Sequence, residues 1–342
     1  MSMKYSVILP QMGMQTKDID DPVEKFEAMV RVAQTADECG YEAVWLADHF
    51  MPVVAEVRGE GDWFECWTST AALARETERV RIGQAMTCNG YRNPALLAKM
   101  ASTADVLSHG RLILGLGSGD FEQEFRAYGY ACPPAPERLR QMGEAVQILL
   151  AMWTQEETTF EGTYYHVHAA INQPKGVQRP HIPLLIGGSG EKVTLKLVAQ
   201  YADACDIFGD LPTITHKLAV LQAHCTAVGR AYSSIRKMTR TMCIIRETDE
   251  QALASIPEEM KAHVETLMRK EEWRGAVAID PTQLWSSFLG LVGSPATIRR
   301  QIAAYQAAGV NEMRLIFPDA PHLQSIQRFA KEFIVQDDLS CL

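Results

Sequence analysis

A histidine and an aspartate stand side by side in the segment WLADHF, residues 45–50. They follow Tyr41–Ala47, a largely apolar run typical of a buried β-strand, and a loop begins directly after them. Histidine side chains titrate at about pH 6.5, and an adjacent carboxylate can fix the orientation of the ring. Asp48 and His49 therefore form a candidate acid–base pair. Such a pair can also be a purely structural hydrogen-bonded pair, and the place of the strand end in the fold decides between the two.

Two glycine-rich segments are further candidates for contact with a ligand. Gly187–Gly190 (GGSG) lies between a predicted strand and a predicted helix, where backbone N–H groups and the helix dipole can bind a phosphate. The alternative is a tight turn that needs glycine only for its dihedral angles. Gly115–Gly119 (GLGSG) lacks the directly following helix of a Rossmann fingerprint. We interpret its glycines as letting a flat ligand approach the backbone, with Ser118 and Asp120 in polar contact.

The composition limits the possible partners. The chain has 342 residues, 47% of them hydrophobic and 22% charged, and its formal net charge is −9. Such an acidic chain is unsuited to nucleic acid or anionic lipid, no apolar run is long enough to span a bilayer, and no signal peptide is recognisable. The eight cysteines form no C-x-x-C pair, and His166 and His168 have no further ligands at suitable spacing. We therefore predict a reduced, cytoplasmic protein without a metal site.

Predicted strands and helices alternate along the chain, which is typical of parallel βαβ units in a single domain covering residues 1–342. Eight strands is the number that closes a (β/α)8 TIM barrel, whose strand C-termini surround the active site. An open doubly wound sheet is the alternative. The predicted strands are residues 4–10, 41–47, 79–87, 111–116, 182–186, 204–208, 237–246 and 311–317.

Two segments are additional to a simple barrel. Residues 160–167 (FEGTYYHV) predict a hairpin before the fifth strand. Residues 247–290 are a charged, helical insertion after the seventh strand, on the side where a barrel binds ligands. We interpret this insertion as a lid or one wall of the site, and the alternative is a surface or dimer-forming helix.

A barrel would bring the strand ends together around one site. Glu65 follows Asp48 and His49 in the loop after the second strand, so it joins the candidates for acid–base chemistry. Arg92 is the one cation that stands out near the strand ends as a possible contact for an anionic substrate.

Several segments together resemble the luciferase-like flavoprotein superfamily, and the branch that they resemble most is that of oxidoreductases dependent on the deazaflavin coenzyme F420. The segments occur in the family's order and cover nearly the whole chain. They are WLADHF, YRNPALLAKMASTADVLSHGRLILGLGSG, FRAYG, PLLIGGSGEKVTLKLVAQYADA and GSPATIRRQIAAYQAAGVNEMRLIF. The family fold is a (β/α)8 barrel with an insertion after strand seven.

The resemblance also implies roles for individual residues. His49 would lie beside the reactive carbon as proton donor or substrate contact, with Asp120 or Glu65 assisting. Asp120 matches an acidic catalytic position of the sugar-phosphate dehydrogenase members. The implied cofactor contacts are Asp48 at the polar edge of the ring; Ala85 and Met86, joined by a non-prolyl cis peptide, with Thr87 and Cys88 along the ring; Ser118, Gly119 and Gln123 at the side chain; and Gly187, Gly188, Ser189 and Gly190 at the phosphate.

Three function hypotheses follow. The first is an F420-dependent oxidoreductase that transfers a hydride between the deazaflavin and a small organic substrate, and the Asp48-His49 pair favours it. The second is an FMN-dependent monooxygenase that uses reduced flavin and dioxygen. Such an enzyme would copurify with its flavin or need a separate cofactor reductase as partner. The third is a non-catalytic flavin-binding protein on the same barrel. The family resemblance further implies a homodimer. Cys88, Ser118, Asp120 and Phe125 depart from close members of the branch, so the substrate stays undefined.

Overall fold

Eight parallel strands close into a barrel in this computed structural model, which describes residues 3–11, 15–52, 61–258, 260–261 and 290–334. The strands in chain order are β1 Lys4–Ile8, β2 Ala43–Leu46, β3 Arg81–Gln84, β4 Thr87–Cys88, β5 Leu112–Gly117, β6 Thr158–Glu161, β7 His166–Ala170, β8 Leu184–Gly187, β9 Ala204–Asp206, β10 Arg236–Ile245, β11 Gly290–Gly293 and β12 Glu312–Ile316. The barrel order is β1, β2, β3, β5, β8, β9, β10 and β12, and β12 pairs with both β10 and β1. The predicted (β/α)8 barrel is confirmed, and the open sheet is wrong because the last strand closes the ring.

Helices follow the barrel strands and pack around them. They are α1 Pro22–Glu38, α2 Cys66–Glu76, α3 Pro94–Leu107, α4 Glu122–Ala127, α5 Ala135–Thr154, α6 Thr194–Tyr201, α7 Leu211–Val228, α8 Asp249–Ala254, α9 Pro295–Ala307 and α10 Gln324–Phe333. Polar side chains cap several of their first turns, as Asn93 does when it accepts a hydrogen bond from the Ala95 N–H. Proline at the first helical position suits that capped geometry, and it begins α1, α3 and α9. Every helix among the described residues is too short or too polar to cross a membrane.

Alternate residues of each strand face two different cores. In β2, Val44 and Leu46 pack towards the helices, whereas Ala43 and Trp45 belong to the cluster inside the barrel. This alternation follows from the two-residue period of a β-strand. The interior cluster fills the middle of the barrel, so the space for a ligand lies at its ends.

The predicted elements differ from the structure in a few places. The predicted third strand divides into β3 and β4, and the predicted hairpin corresponds to the antiparallel pair β6–β7. Strand β11 and helix α10 were not predicted; β11 pairs with the C-terminal half of β10. Of the predicted insertion at 247–290, residues 259 and 262–289 lie outside the described residues, so its interpretation as a lid stays a prediction.

Gly115 allows β3 and β5 to approach closely. A Cβ atom at this position would lie 1.8 Å from the Gln84 carbonyl oxygen and 3.0 Å from Met86 Sδ. At Gly117 the nearest atom would be Met86 Cβ, at 3.1 Å. Gln84 and Met86 therefore occupy the space that side chains at Gly115 and Gly117 would need. The interpretation that a flat ligand approaches the backbone of residues 115–119 stays a prediction.

We predict that Gly115→Ala destabilises the protein by about 1–3 kcal/mol or more, because the added methyl group overlaps backbone that cannot move aside easily. Gly143→Ala is the matched control, since its Cβ would meet nothing closer than Leu197 Cδ2 at 3.6 Å. That helical substitution should stabilise by about 0.5–1 kcal/mol. Urea unfolding of both variants measures the difference, and equal midpoints would contradict the packing argument.

Candidate active site

A cavity of about 280 Å3 opens at the C-terminal ends of the barrel strands. A larger cavity of about 640 Å3 lies at the opposite end, near Lys4, Arg81 and Arg236. Active sites of (β/α)8 barrels are formed by the strand C-termini and the loops after them, so the smaller cavity is the candidate active site.

His49 lines this cavity and is held by the carboxylate of Glu124. His49 Nδ1 lies 3.0 Å from Glu124 Oε2, and the imidazole is 25% exposed while Glu124 is fully buried. Trp63 and Phe121 contact the histidine ring edge-on, with centroids 5.7 and 6.3 Å away. His49 Nε2 makes no hydrogen bond to another described residue, so it is the nitrogen available to a ligand.

Glu124 is fixed by four hydrogen bonds from the elements around it. Besides His49, it accepts from the Tyr91 hydroxyl at 2.5 Å and from the N–H groups of Phe50 and Met51 at 2.6 and 3.1 Å. Burial acts to raise the pKa of Glu124, but the hydrogen bonds from His49, Tyr91 and Phe50 outweigh it and hold the pKa below its usual value. Glu124 is therefore ionised at neutral pH, and an ionised carboxylate accepts only, so His49 Nδ1 carries the proton of this bond.

Asp48 is buried, and Arg92 binds its carboxylate. Arg92 donates two hydrogen bonds to it, at 2.6 and 3.0 Å, and the Cys88 N–H donates a third at 2.9 Å. Burial raises the pKa of Asp48, and the Arg92 guanidinium opposes that shift. Arg92 also binds Glu65 at 2.6 Å. This network ties the loop after β2 to β4.

Ala85, Met86, Thr87 and Cys88 form one continuous part of the cavity lining. The peptide bond between Ala85 and Met86 is cis, as the resemblance predicts. Thr87 and Cys88 pair with Leu116 and Gly117 of β5. A surface with few projecting side chains suits a flat ring system.

Comparison with known proteins agrees with this geometry. The family model described as luciferase-like monooxygenase matches residues 3–312. An F420-dependent glucose-6-phosphate dehydrogenase from Amycolatopsis mediterranei is 30% identical over 321 residues, which are 89% of this chain and 91% of that protein. The chain belongs to the luciferase-like monooxygenase family. An FMNH(2)-dependent dimethylsulfone monooxygenase from Pseudomonas putida is 27% identical over 299 residues, 82% of this chain and 80% of its own.

Solved structures of other luciferase-like proteins share the fold. The monooxygenase RslO1 from Streptomyces bottropensis has a TM-score of 0.78 at 20% identity and covers 97% of this chain and 99% of its own. An F420-dependent secondary alcohol dehydrogenase in complex with an F420–acetone adduct has a TM-score of 0.73 at 20% identity, with coverages of 97% and 98%. These likenesses confirm the barrel architecture.

The luciferase-like barrel brings most of the predicted site residues to one cavity. Those that line it are Asp48, His49, Ala85, Met86, Thr87, Cys88, Ser118, Gly119, Asp120, Gly187 and Gly188. Ser189 and Gly190 continue from Gly188 into a turn that precedes α6, so a phosphate at this loop stays a prediction. Gln123 is exposed and does not line the cavity, and neither does Glu65, which caps α2 by accepting from the Thr68 N–H at 2.6 Å.

Several side chains at or next to this cavity were not predicted from the sequence. Glu124 is the neighbour of the predicted Gln123, and only the helical turn of α4 shows which of the two points inwards. Arg240 and Arg314 line the cavity from the middle of β10 and β12, and Asp206 from the end of β9. The expectation that Arg92 offers the cation for a substrate is corrected, because Asp48 and Glu65 occupy its guanidinium. For Arg240 and Arg314, the signal available in the sequence was a charged residue in the middle of a predicted barrel strand.

We predict that Glu124→Gln lowers the free energy of unfolding at pH 7 by about 1–3 kcal/mol, because a buried charged acceptor is lost. Because the folded state lowers the pKa of Glu124, its contribution is present above the unfolded value of about 4.3 and is lost as the pH falls through the folded value. The difference between wild type and variant should therefore shrink in denaturant unfolding at about pH 3.5.

Glu122→Gln is the matched control on the same helix. Glu122 is 59% exposed and pairs with Arg126 at the surface, so its replacement should change stability by less than about 0.5 kcal/mol. A Glu124→Gln variant as stable as this control at pH 7 would show that the buried carboxylate does not hold the loop.

Proposed function

We propose that this protein is an F420-dependent oxidoreductase that transfers a hydride between the deazaflavin cofactor and a small organic substrate. The observation that supports this most directly is His49, which lines the cavity with Nδ1 bound to Glu124 and Nε2 unengaged. The relatives support the cofactor class, since they include an F420-dependent dehydrogenase similar over most of the chain. Each part of the site contributes separately to this proposal.

The residues around the cavity fit a flat tricyclic ring. Ala85, Met86 and Thr87 form one continuous wall, and Gly117 and Gly188 add backbone without side chains. Gly188, which lines the cavity directly after β8, has a φ of 108°, a conformation that favours glycine. Ser118, Gly119 and the Gly187–Gly190 loop would hold the cofactor side chain and its phosphate. When bound, the deazaflavin supplies a carbon that accepts or donates a hydride and reacts little with dioxygen.

His49 would accept or donate the proton that accompanies the hydride. In oxidation of an alcohol, Nε2 accepts the hydroxyl proton while the C–H bond gives up its electron pair; in reduction of a carbonyl, Nε2 returns the proton to the oxygen. Glu124 fixes the ring orientation and keeps the proton on Nδ1, so Nε2 presents its lone pair in the neutral form. Trp63 and Phe121 contact the imidazole edge-on and would help to exclude water from it.

Asp48, Asp120 and Glu65 have different positions relative to this chemistry. Asp120 lines the cavity and is exposed, so it is the acidic side chain available to a ligand. Asp48 also lines the cavity, but Arg92 and Cys88 already bind its carboxylate, and we assign it mainly to holding the ring-binding loop. Glu65 acts through Arg92 and is a positioning residue.

An FMN-dependent monooxygenase is the second candidate, and the dimethylsulfone monooxygenase relative favours it. Both cofactors carry a phosphate at the same place, so the glycine loop suits either. A separate cofactor reductase belongs to this alternative, and a homodimer is compatible with both. A non-catalytic flavin-binding protein is the third candidate.

We predict that the purified protein quenches the fluorescence of F420 with a Kd at least about tenfold below that for FMN, because the proposed reaction needs the deazaflavin. His49→Ala should retain F420 binding within about threefold but lose turnover by about 10²–10⁴-fold, the range for general acid–base groups. A panel of secondary alcohols and sugar phosphates, with F420 absorbance followed during the reaction, measures turnover.

His166→Ala is the matched control. His166 Nδ1 also lies 3.0 Å from a glutamate, Glu161 Oε2, but this pair is exposed on the β6–β7 hairpin. Its replacement should leave both binding and turnover unchanged. Tighter FMN binding with oxygen consumption would favour the monooxygenase, and tight binding of F420 without turnover of any substrate would favour the non-catalytic alternative.

A further inference from the structure

Two arginines stand next to each other on neighbouring strands inside the candidate active site. Arg240 of β10 and Arg314 of β12 are register partners in the parallel pair, and both line the cavity. Asp206, at the end of β9, lies beside them and is the acidic residue of this part of the wall. We name Asp206, Arg240 and Arg314 the arginine wall.

Arg314 is buried with donors that nothing in the described protein accepts. It is 1% exposed, its Nη2 pairs with Asp206 Oδ2, and its guanidinium lies 5.4 Å from the ring of Trp45. Its Nε and Nη1 atoms, and Asp206 Oδ1, have no hydrogen-bond partner among the described residues. Buried polar atoms are nearly always paired, so these unpaired donors mark a place where an acceptor is expected.

Arg240 adds a second guanidinium that is not neutralised. Its Cζ lies 4.8 Å from the centroid of the Phe208 ring, and Phe208 is itself 47% exposed. Arg240 forms no ion pair and no hydrogen bond with another described residue. The arginine wall therefore holds two guanidiniums against one carboxylate, and the excess positive charge faces the cavity.

We propose that the arginine wall binds an oxyanion of the substrate, a carboxylate, sulfonate or phosphate group. This inference rests on the proposed function for the identity of the bound molecule as a substrate. A guanidinium presents parallel N–H donors that match the oxygens of such a group, and two adjacent guanidiniums can share one oxyanion. Asp206 keeps Arg314 in place and lowers the affinity of the wall for anions by its own charge.

The cofactor's own phosphate is the other possible source of an oxyanion. The Gly187–Gly190 loop lies at the end of β8 and supplies backbone N–H groups, whereas the arginine wall belongs to β9, β10 and β12. The two regions offer different donors, but they adjoin at β8 and β9, where Gly187 is the register partner of Asp206 and the Gly188 N–H donates to the Asp206 carbonyl. Competition between sulfate and the cofactor therefore decides which oxyanion the arginine wall binds.

The test is calorimetric titration of the full-length protein with sodium sulfate, at ionic strength kept constant with sodium chloride. It is carried out without cofactor and again with saturating F420. Arg240→Gln should weaken sulfate binding about tenfold in both conditions, as expected for loss of a charged donor. Asp206→Asn keeps a side-chain oxygen for Arg314 but removes the repelling charge, so it should tighten sulfate binding about threefold or more.

Arg31→Gln is the control, because Arg31 pairs with Glu24 on the surface of α1 and its side chain is 46% exposed. It should bind sulfate like the wild type. The proposal is overturned if the wild type does not bind sulfate, or if Arg240→Gln binds it as tightly as the wild type. It is also overturned if Asp206→Asn is folded, as judged by circular dichroism, and binds sulfate more weakly than the wild type.

The titration with saturating F420 distinguishes a failure of this inference from a failure of the proposed function. Sulfate that competes with F420 assigns the arginine wall to the cofactor phosphate and overturns the assignment to substrate. Failure of F420 to bind contradicts the proposed function alone, since the titration without cofactor still measures the anion site. Sulfate binding that is unchanged by saturating F420 and follows the order Asp206→Asn, wild type, Arg240→Gln supports the substrate site.

Discussion

Closure of the sheet by β12 is the constraint on which the rest of the molecule depends. Because β12 pairs with β1 on one side and β10 on the other, all eight strands end on the same rim. His49 and Glu124 are 75 residues apart in the chain, and the ring brings them within hydrogen-bond distance. Arg240 and Arg314 are register partners on the neighbouring strands β10 and β12. Closure of the ring places both pairs of side chains around one cavity.

Two buried carboxylates then fix side chains and backbone groups at the ends of the strands. Glu124 accepts from the N–H groups of Phe50 and Met51 and also holds His49. Asp48 accepts from the Cys88 N–H and also holds Arg92. In both cases one side chain accepts from backbone N–H groups and also orients a neighbouring basic group. Removing either carboxylate would leave these backbone donors without their acceptor.

Sequence patterns predicted the fold better than the details of the site. The alternation of strand and helix patterns located each barrel strand, and the predicted strand at 111–116 agrees with β5, Leu112–Gly117, to within one residue at each end. The cis peptide at Ala85–Met86 came from the family resemblance, since no local propensity indicates one. Gln123 came from the resemblance as a contact of the cofactor side chain, whereas Glu124 was not predicted to bind His49, because no helix was predicted there and one position along a helix turns a side chain by about 100°. Closeness in the chain could not show that Arg92 is taken up by Asp48 and Glu65.

Under the proposed function, proton transfer and substrate recognition belong to different elements. His49 and Glu124 belong to the loop after β2 and to α4, whereas Arg240 and Arg314 belong to β10 and β12. Substitutions in the second pair can change the bound substrate without disturbing the hydrogen bonds of the first. The relatives act on substrates as different as glucose 6-phosphate and dimethylsulfone, as their names state, on similar chains. A ring in which different strands carry the residues proposed for proton transfer and for substrate binding is consistent with that diversity, and the contact of Arg314 with the Trp45 ring of β2 joins these strands directly.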